Sequence, residues 1–497
     1  MCHWSHMNIF QHSILLNSFY YPNYAFLFLL FALVLQIAII IAPIIIIAKY
    51  RQIFLSWISK DYIFTMLMVL LIVVTSRLIV MFLNSSHIQI LPEKIFAMDM
   101  VGRDWLDGVM TPVMRLWKGL PFNIQIGYGQ GFTVFIGILF YPFYKSGINT
   151  QEALVNFSQI SYIYVASFVL LTYVVLILTK YKKDIRNILI IVYITFLLGF
   201  SGSLGLERGN IDIIFSLVIL LLYLFRLSKY SSSKYFGFIE ACILGMLTAS
   251  KITLLPISLA FILTSTRLWS SIIYFIFLYS AWSLSPTVFG IHSTLLDSYS
   301  AAIKFQNLYF PNTLLTGCRG DNYGLFGLAS LFIPCGPSGL NIFNRLFLAM
   351  AYLIYACLFV IVFIIPLIPL VSQLQIVNRK IFFHIKFLYQ NRSIFLLLLF
   401  VLAVAAINLL PNFSYSYRLY FSFSVLLAAW YSITNAKAKR LLIISTICLL
   451  LKGVWFTDWK LFNIFVVLHY VSLLYAASIE LTEPLVRRKE LYDRKNK

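Results

Sequence analysis

Long apolar runs broken by short polar stretches dominate this chain from end to end. A bilayer-crossing helix needs about 20 consecutive apolar residues. The pattern predicts spans at 25–48, 61–83, 187–205, 211–226, 236–249, 253–265, 268–286, 345–371, 393–410, 418–434, 441–456 and 461–480. Segment 131–179 must cross a net odd number of times and is read as one span. The pair 236–249 and 253–265 is short for full spans and reads as two halves of a broken helix. The expectation is an all-α, polytopic protein of about 11–13 transmembrane helices. Residues 1–481 then form one transmembrane domain and 482–497 a cytoplasmic tail.

Composition agrees with the pattern. Hydrophobic residues make up 61% of the 497 and charged residues only 11%, against about 25% charged in a soluble domain. The 45 Phe and 31 Tyr suit aromatic belts at headgroup depth. The first 48 residues carry no Lys or Arg, which argues against a cleavable signal peptide.

A net charge of +21 would suggest nucleic acid in a soluble protein. Here it follows from basic loops. These hold Lys49, Arg51 and Lys60; Lys180, Lys182, Lys183 and Arg186; Arg226, Lys229 and Lys234; Arg379, Lys380, Lys386 and Arg392; Lys437, Lys439 and Arg440; and a basic tail from Arg487. More than half of the 38 Lys and Arg lie there. The positive-inside rule puts these loops in the cytoplasm, with the N-terminus outside and the C-terminus inside. Loops 84–130 and 287–344 then face the periplasm. The second holds Cys318 and Cys335, which read either as a disulfide or as two free thiols. No CxxC pair and no internal repeat is visible.

Three constellations carry candidate chemistry. Loop 84–130 holds Asp99, Asp104 and Asp107, followed by apolar spacing at Val109, Val113, Leu116 and Trp117. That spacing predicts a helix over 105–118 lying in the membrane interface, with Trp105 as its anchor. The second constellation places Glu207, Arg208, Asn210 and Asp212 where an apolar helix begins. Charges at membrane depth are costly, so they pair or serve function. A Glu207–Arg208 or Arg208–Asp212 staple is the bland reading. The third is Lys251, between two apolar segments and followed by Pro256. It reads as a phosphate ligand or as a snorkelling lysine. Arg418 adds a cation among tyrosines at the start of a span, and Glu240 lies within a span, where it needs a partner.

Taken in this order, the constellations resemble the polyprenol-phosphate-sugar-dependent glycosyltransferases of family 87, which have the GT-C membrane fold. The resemblance rests on Gly102-Arg103-Asp104, then Leu116-Trp117-Lys118-Gly119-Leu120-Pro121-Phe122, then Glu207-Arg208-Gly209-Asn210-Ile211-Asp212, then Lys251 with a displaced Pro256. It covers about residues 90–260. The chain departs from the family in having Gly127-Tyr128-Gly129-Gln130 where a Tyr-Pro-Pro is usual, and in the early span at 25–48.

The resemblance implies a bacterial inner-membrane transferase with its site facing the periplasm. A hexose, mannose or glucose, would pass with inversion from a polyprenyl phosphate to a cell-envelope glycan or glycolipid. No nucleotide-binding motif is visible. Asp104 is the expected base, with Asp107 and Asp99 behind it. Arg103, Glu207, Arg208, Asn210, Asp212, Lys251 and Arg418 are the expected substrate-binding set. No organic cofactor and no metal ligand set is expected, while a divalent cation stays open. Competing readings are an O-antigen polymerase or ligase and a lipid-linked sugar flippase or transporter.

Overall fold

The computed structural model describes residues 103–120, 130–145, 151–198, 210–228, 233–297, 342–368, 390–410, 418–454 and 463–495, with a few isolated positions besides. They belong to one compact unit, Met98–Lys497. The predicted spans at 25–48 and 61–83 lie outside the described residues, as do Cys318 and Cys335.

All the regular structure described is helical. In chain order the helices are α1 (Arg103–Trp105), α2 (Thr111–Trp117), α3 (Gln130–Lys145), α4 (Gln151–Lys180), α5 (Lys183–Leu198), α6 (Asp212–Arg226) and α7 (Lys234–Ser250). They continue with α8 (Leu255–Leu263), α9 (Leu268–Leu284), α10 (Ile342–Phe359), α11 (Arg392–Leu409), α12 (Leu419–Ser432), α13 (Ala436–Val454) and α14 (Asn463–Lys495). Among the described residues, four stretches are long and apolar enough to cross a membrane: Ala153–Lys180, Leu268–Phe289, Arg392–Leu409 and Asn463–Pro484. Six shorter apolar helices accompany them. The apolar pattern therefore yields a multi-pass helical membrane protein.

Local sequence explains where several helices stop. A π-helical turn, Leu106–Met110, joins α1 to α2. At the end of α2, Gly119 takes φ 64°. The Leu120 N–H then reaches the Arg115 carbonyl at 2.9 Å, and the Gly119 N–H reaches Leu116 at 3.1 Å. This is a Schellman closure, and it needs the left-handed backbone that glycine adopts without steric cost. At the start of α13, Asn435 Oδ1 accepts from the N–H groups of Lys437 and Ala438, a side-chain cap on the first turn.

Segment 131–179, read as one span, forms two helices, α3 and α4, and α4 alone carries a span of full length, in agreement with that count. Two expectations need correction. The segments 236–249 and 253–265 are not halves of one broken helix. Lys251 is extended, at φ −152° and ψ 99°, and a 3-10 turn over Ile252–Leu254 follows. α8 then folds back along α7, with the Thr248 and Ser258 hydroxyls 2.8 Å apart near the turn. Pro256 in the first turn of α8 lacks the N–H that a continuing helix would need.

The second correction concerns helix 105–118. It is present, and Val109, Val113 and Leu116 are buried as the spacing requires. Its apolar face, however, packs on α3 and α4 rather than on lipid. Trp105 is 1% exposed, donates from Nε1 to Ser161 Oγ at 3.1 Å, and packs against Phe132 and Tyr162. It anchors the helix to protein, not to the interface.

The helices connect two ends. Asp212 begins α6 and Arg226 closes it. Tyr223, near that close, meets Ser432 at the end of α12, and Tyr181 donates to the Leu427 carbonyl. The basic positions Lys180, Arg226, Arg392 and Lys437 therefore gather at one end. Asn210, Lys251 and Arg418 gather at the other.

Candidate functional site

The polar groups at the second end are set by the start of α6. Asn210 Oδ1 accepts from the Asp212 N–H at 3.0 Å, satisfying one of the donors that a helix start leaves open. That bond fixes which face of the amide is which. Asn210 Nδ2 is then the donor, and it reaches Asp104 Oδ2 at 3.2 Å. One short side chain thus ties the first acidic constellation to the second across 106 positions of sequence.

Asp212 is fully buried, and Lys251 Nζ sits 2.7 Å from each of its carboxylate oxygens. A carboxylate this deep needs a cation, and a cation this deep needs a carboxylate. The bland reading of an Arg208–Asp212 staple falls on Arg208, outside the described residues; among those described, Asp212 pairs with Lys251. Asp212 also sits in the first turn of α6, where the helix dipole favours negative charge. The turn between α7 and α8 presents Lys251 to it. Asp104 and Arg418 are both close enough to act electrostatically on the Lys251 ammonium. Arg418 begins α12, donates from Nη1 to the Ile407 carbonyl at 3.3 Å, and has a buried Nε with no hydrogen-bond partner among the described residues.

An aromatic floor supports the cluster. Trp105 packs edge-on against Phe132, and Phe132 edge-on against Phe215. The Phe132 N–H donates to Ser250 Oγ at 2.6 Å, joining the start of α3 to the residue before Lys251. Gly131 permits this approach, because a Cβ there would lie 2.9 Å from the Met246 carbonyl. Trp117 Nε1 donates to the Gly137 carbonyl at 2.8 Å and holds α2 on α3. Offset and edge-on aromatic contacts of this kind add to simple burial.

The structure therefore brings Asp104, Asn210, Asp212 and Lys251 into one polar cluster, with Arg418 beside it. Asp107 is half-buried on the turn after Asp104. Arg103 opens the same helix. Asp99, Glu207 and Arg208 lie outside the described residues. Glu240 finds its partner at the opposite end of the bundle, 3.1 Å from Arg226. Among the described residues no group of three or more His, Cys, Asp or Glu could hold a metal ion.

Sequence reasoning passed over Trp105 as a packing residue, Phe132, Ser250 and the core bonds among Asn408, Ser422 and Tyr470. An Asn inside an apolar run was the available signal for the last of these. Chemically, the cluster offers one carboxylate oriented by an amide, a neutralised buried ion pair, and an arginine with donor capacity to spare. No family model, curated protein or solved structure gives a significant match to the chain.

Proposed function

We propose that this protein is an inverting membrane glycosyltransferase of the GT-C type. It would move a hexose, mannose or glucose, from a polyprenyl phosphate to a cell-envelope glycan or glycolipid. The observation that carries the reading is the meeting of Asp104, Asn210, Asp212 and Lys251. They come from three separated segments, and each segment resembles a motif of the same glycosyltransferase family.

The chemistry assigns roles. Asp104 takes the proton of the acceptor hydroxyl as the new glycosidic bond forms. The acceptor oxygen attacks the anomeric carbon from the face opposite the phosphate. The bond from that carbon to the phosphate oxygen breaks, and its electron pair leaves with the polyprenyl phosphate. Positive charge beside that oxygen lowers the barrier. Arg418 supplies it, with Arg208 from the adjoining segment. The charge of Lys251 is balanced by Asp212, so its first task is to fix the start of α6 and, through Asn210, the Asp104 carboxylate. The Asp104 end faces the periplasm in this reading, and the basic end faces the cytoplasm.

The test is product release. Purified protein is incubated with an acceptor and with mannosyl, glucosyl, galactosyl or arabinofuranosyl polyprenyl phosphate. Acceptor-dependent release of free polyprenyl phosphate from a hexosyl donor is the expected result. Release from none of the donors overturns the proposal.

A further inference from the structure

At the end of the bundle away from Asp104, α6 closes on Arg226, roughly 21 Å along the axis from Asp212. There Arg226, Arg392, Thr264, Thr266, Asn391 and Ser393 line a cavity of about 510 Å³, within the size range of small-ligand sites. The Arg226 side chain is only 9% exposed and lies 3.1 Å from Glu240 through Nη1. Its Nη2 donates to the Phe261 carbonyl at 2.7 Å. Its Nε is buried with no hydrogen-bond partner among the described residues.

Arg392 is near enough to act on Arg226 as a like charge. Among the described residues no carboxylate pairs with Arg392. Of the two neighbouring guanidinium groups only the buried Arg226 is paired with a carboxylate, and the exposed Arg392 adds a positive charge that favours an anion. The cavity also holds the start of the 18-residue helix α11. Open N–H groups and the dipole at a helix start favour an anion. Hydroxyls of Thr266 and Ser393 add donors to the wall, while the Thr264 hydroxyl donates to the Ala260 carbonyl at 2.9 Å.

We propose that this cavity binds a phosphate-class oxyanion, and that Arg392 is its principal ligand. Planar guanidinium forks match tetrahedral oxyanions in bidentate fashion. The phosphate can be a lipid headgroup or a free anion, since both present the same oxygens. The site is distinct from the Asp104 cluster and does not depend on its chemistry.

The experiment uses the full chain in micelles of a phosphate-free, uncharged maltoside detergent and follows the thermal unfolding midpoint. One arm adds inorganic phosphate at fixed ionic strength. The other adds phosphatidylglycerol to the micelles. A ligand that binds the folded state raises the midpoint. The wild type is expected to respond in at least one arm. The responding arm identifies the source. Arg392→Gln should weaken the apparent affinity about tenfold or more, as loss of a charge-assisted contact implies. Thr266→Val should weaken it less. A wild type that responds in neither arm overturns the proposal. So does an Arg392→Gln variant that responds as the wild type does.

Discussion

Asp212 and Lys251 illustrate how one buried charge dictates another. A lone charge in an apolar surround is costly, and their 2.7 Å contact makes each the other's condition. Removing one partner of a buried pair costs about 3–5 kcal/mol, because the survivor is left uncompensated. Lys251→Ala and Asp212→Ala should each lower stability by that order, and the double variant by clearly less than the sum. Unfolding in detergent, read as a double-mutant cycle, checks this; additive losses would mean the two side chains act separately. Asn210 stands between this pair and Asp104, accepting from one N–H and donating to one carboxylate. Asn210→Asp replaces the donor by an acceptor facing Asp104. It should cut turnover by about tenfold or more, as loss of an orienting hydrogen bond implies. Unchanged transfer rates in Asn210→Asp would show that the amide does not position the carboxylate.

The helices were legible in the apolar runs, with ends set by recognisable residues. Gly119 and Asn435 close and open helices in the ways their chemistry allows. What covers an apolar face was less legible. The stripe Val109, Val113 and Leu116 fixes which side of the helix is buried. In a membrane protein lipid and a neighbouring helix are equally apolar covers, so the stripe does not choose between them. The fold-back at Lys251 was obscured for a related reason. A short apolar segment, a polar break and a second short segment fit both a broken helix and a tight hairpin. Close packing between α7 and α9 gives a sharp test at this scale. A Cβ on Gly245 would lie 2.9 Å from the Tyr279 backbone nitrogen, while nothing lies within 4 Å of one on Gly237. Gly245→Ala should push the helices apart and cost about 1–3 kcal/mol. Gly237→Ala should be neutral or stabilising by up to about 1 kcal/mol, the helix preference of alanine. Equal thermal shifts for the two variants would show that the contact does not hold the pair together.

At the scale of the whole molecule, charge is sorted between the two ends. The Asp104 cluster lies at one end and Arg226, Arg392 and Lys437 at the other. The individual residues of the cluster were legible as polar groups that a membrane segment does not carry without cause. Their mutual partners were not, since Asp104 and Asn210 meet only after the chain has folded across itself. The sorting predicts a topology. In a background without native cysteines, exposed Lys118→Cys should react with an impermeant thiol reagent added to intact cells. Exposed Lys437→Cys should react only after permeabilisation. The reverse pattern would invert the proposed orientation and place the cluster where nucleotide sugars are available. The most direct test of the account is the release of free polyprenyl phosphate by Asp104→Asn beside the wild type, with the same hexosyl donor and acceptor. The variant keeps the shape of the side chain and removes its proton acceptor. The account predicts release by the wild type and a loss of about 10²–10⁴-fold in Asp104→Asn, the usual cost of a missing general base. Undiminished release by Asp104→Asn would contradict it.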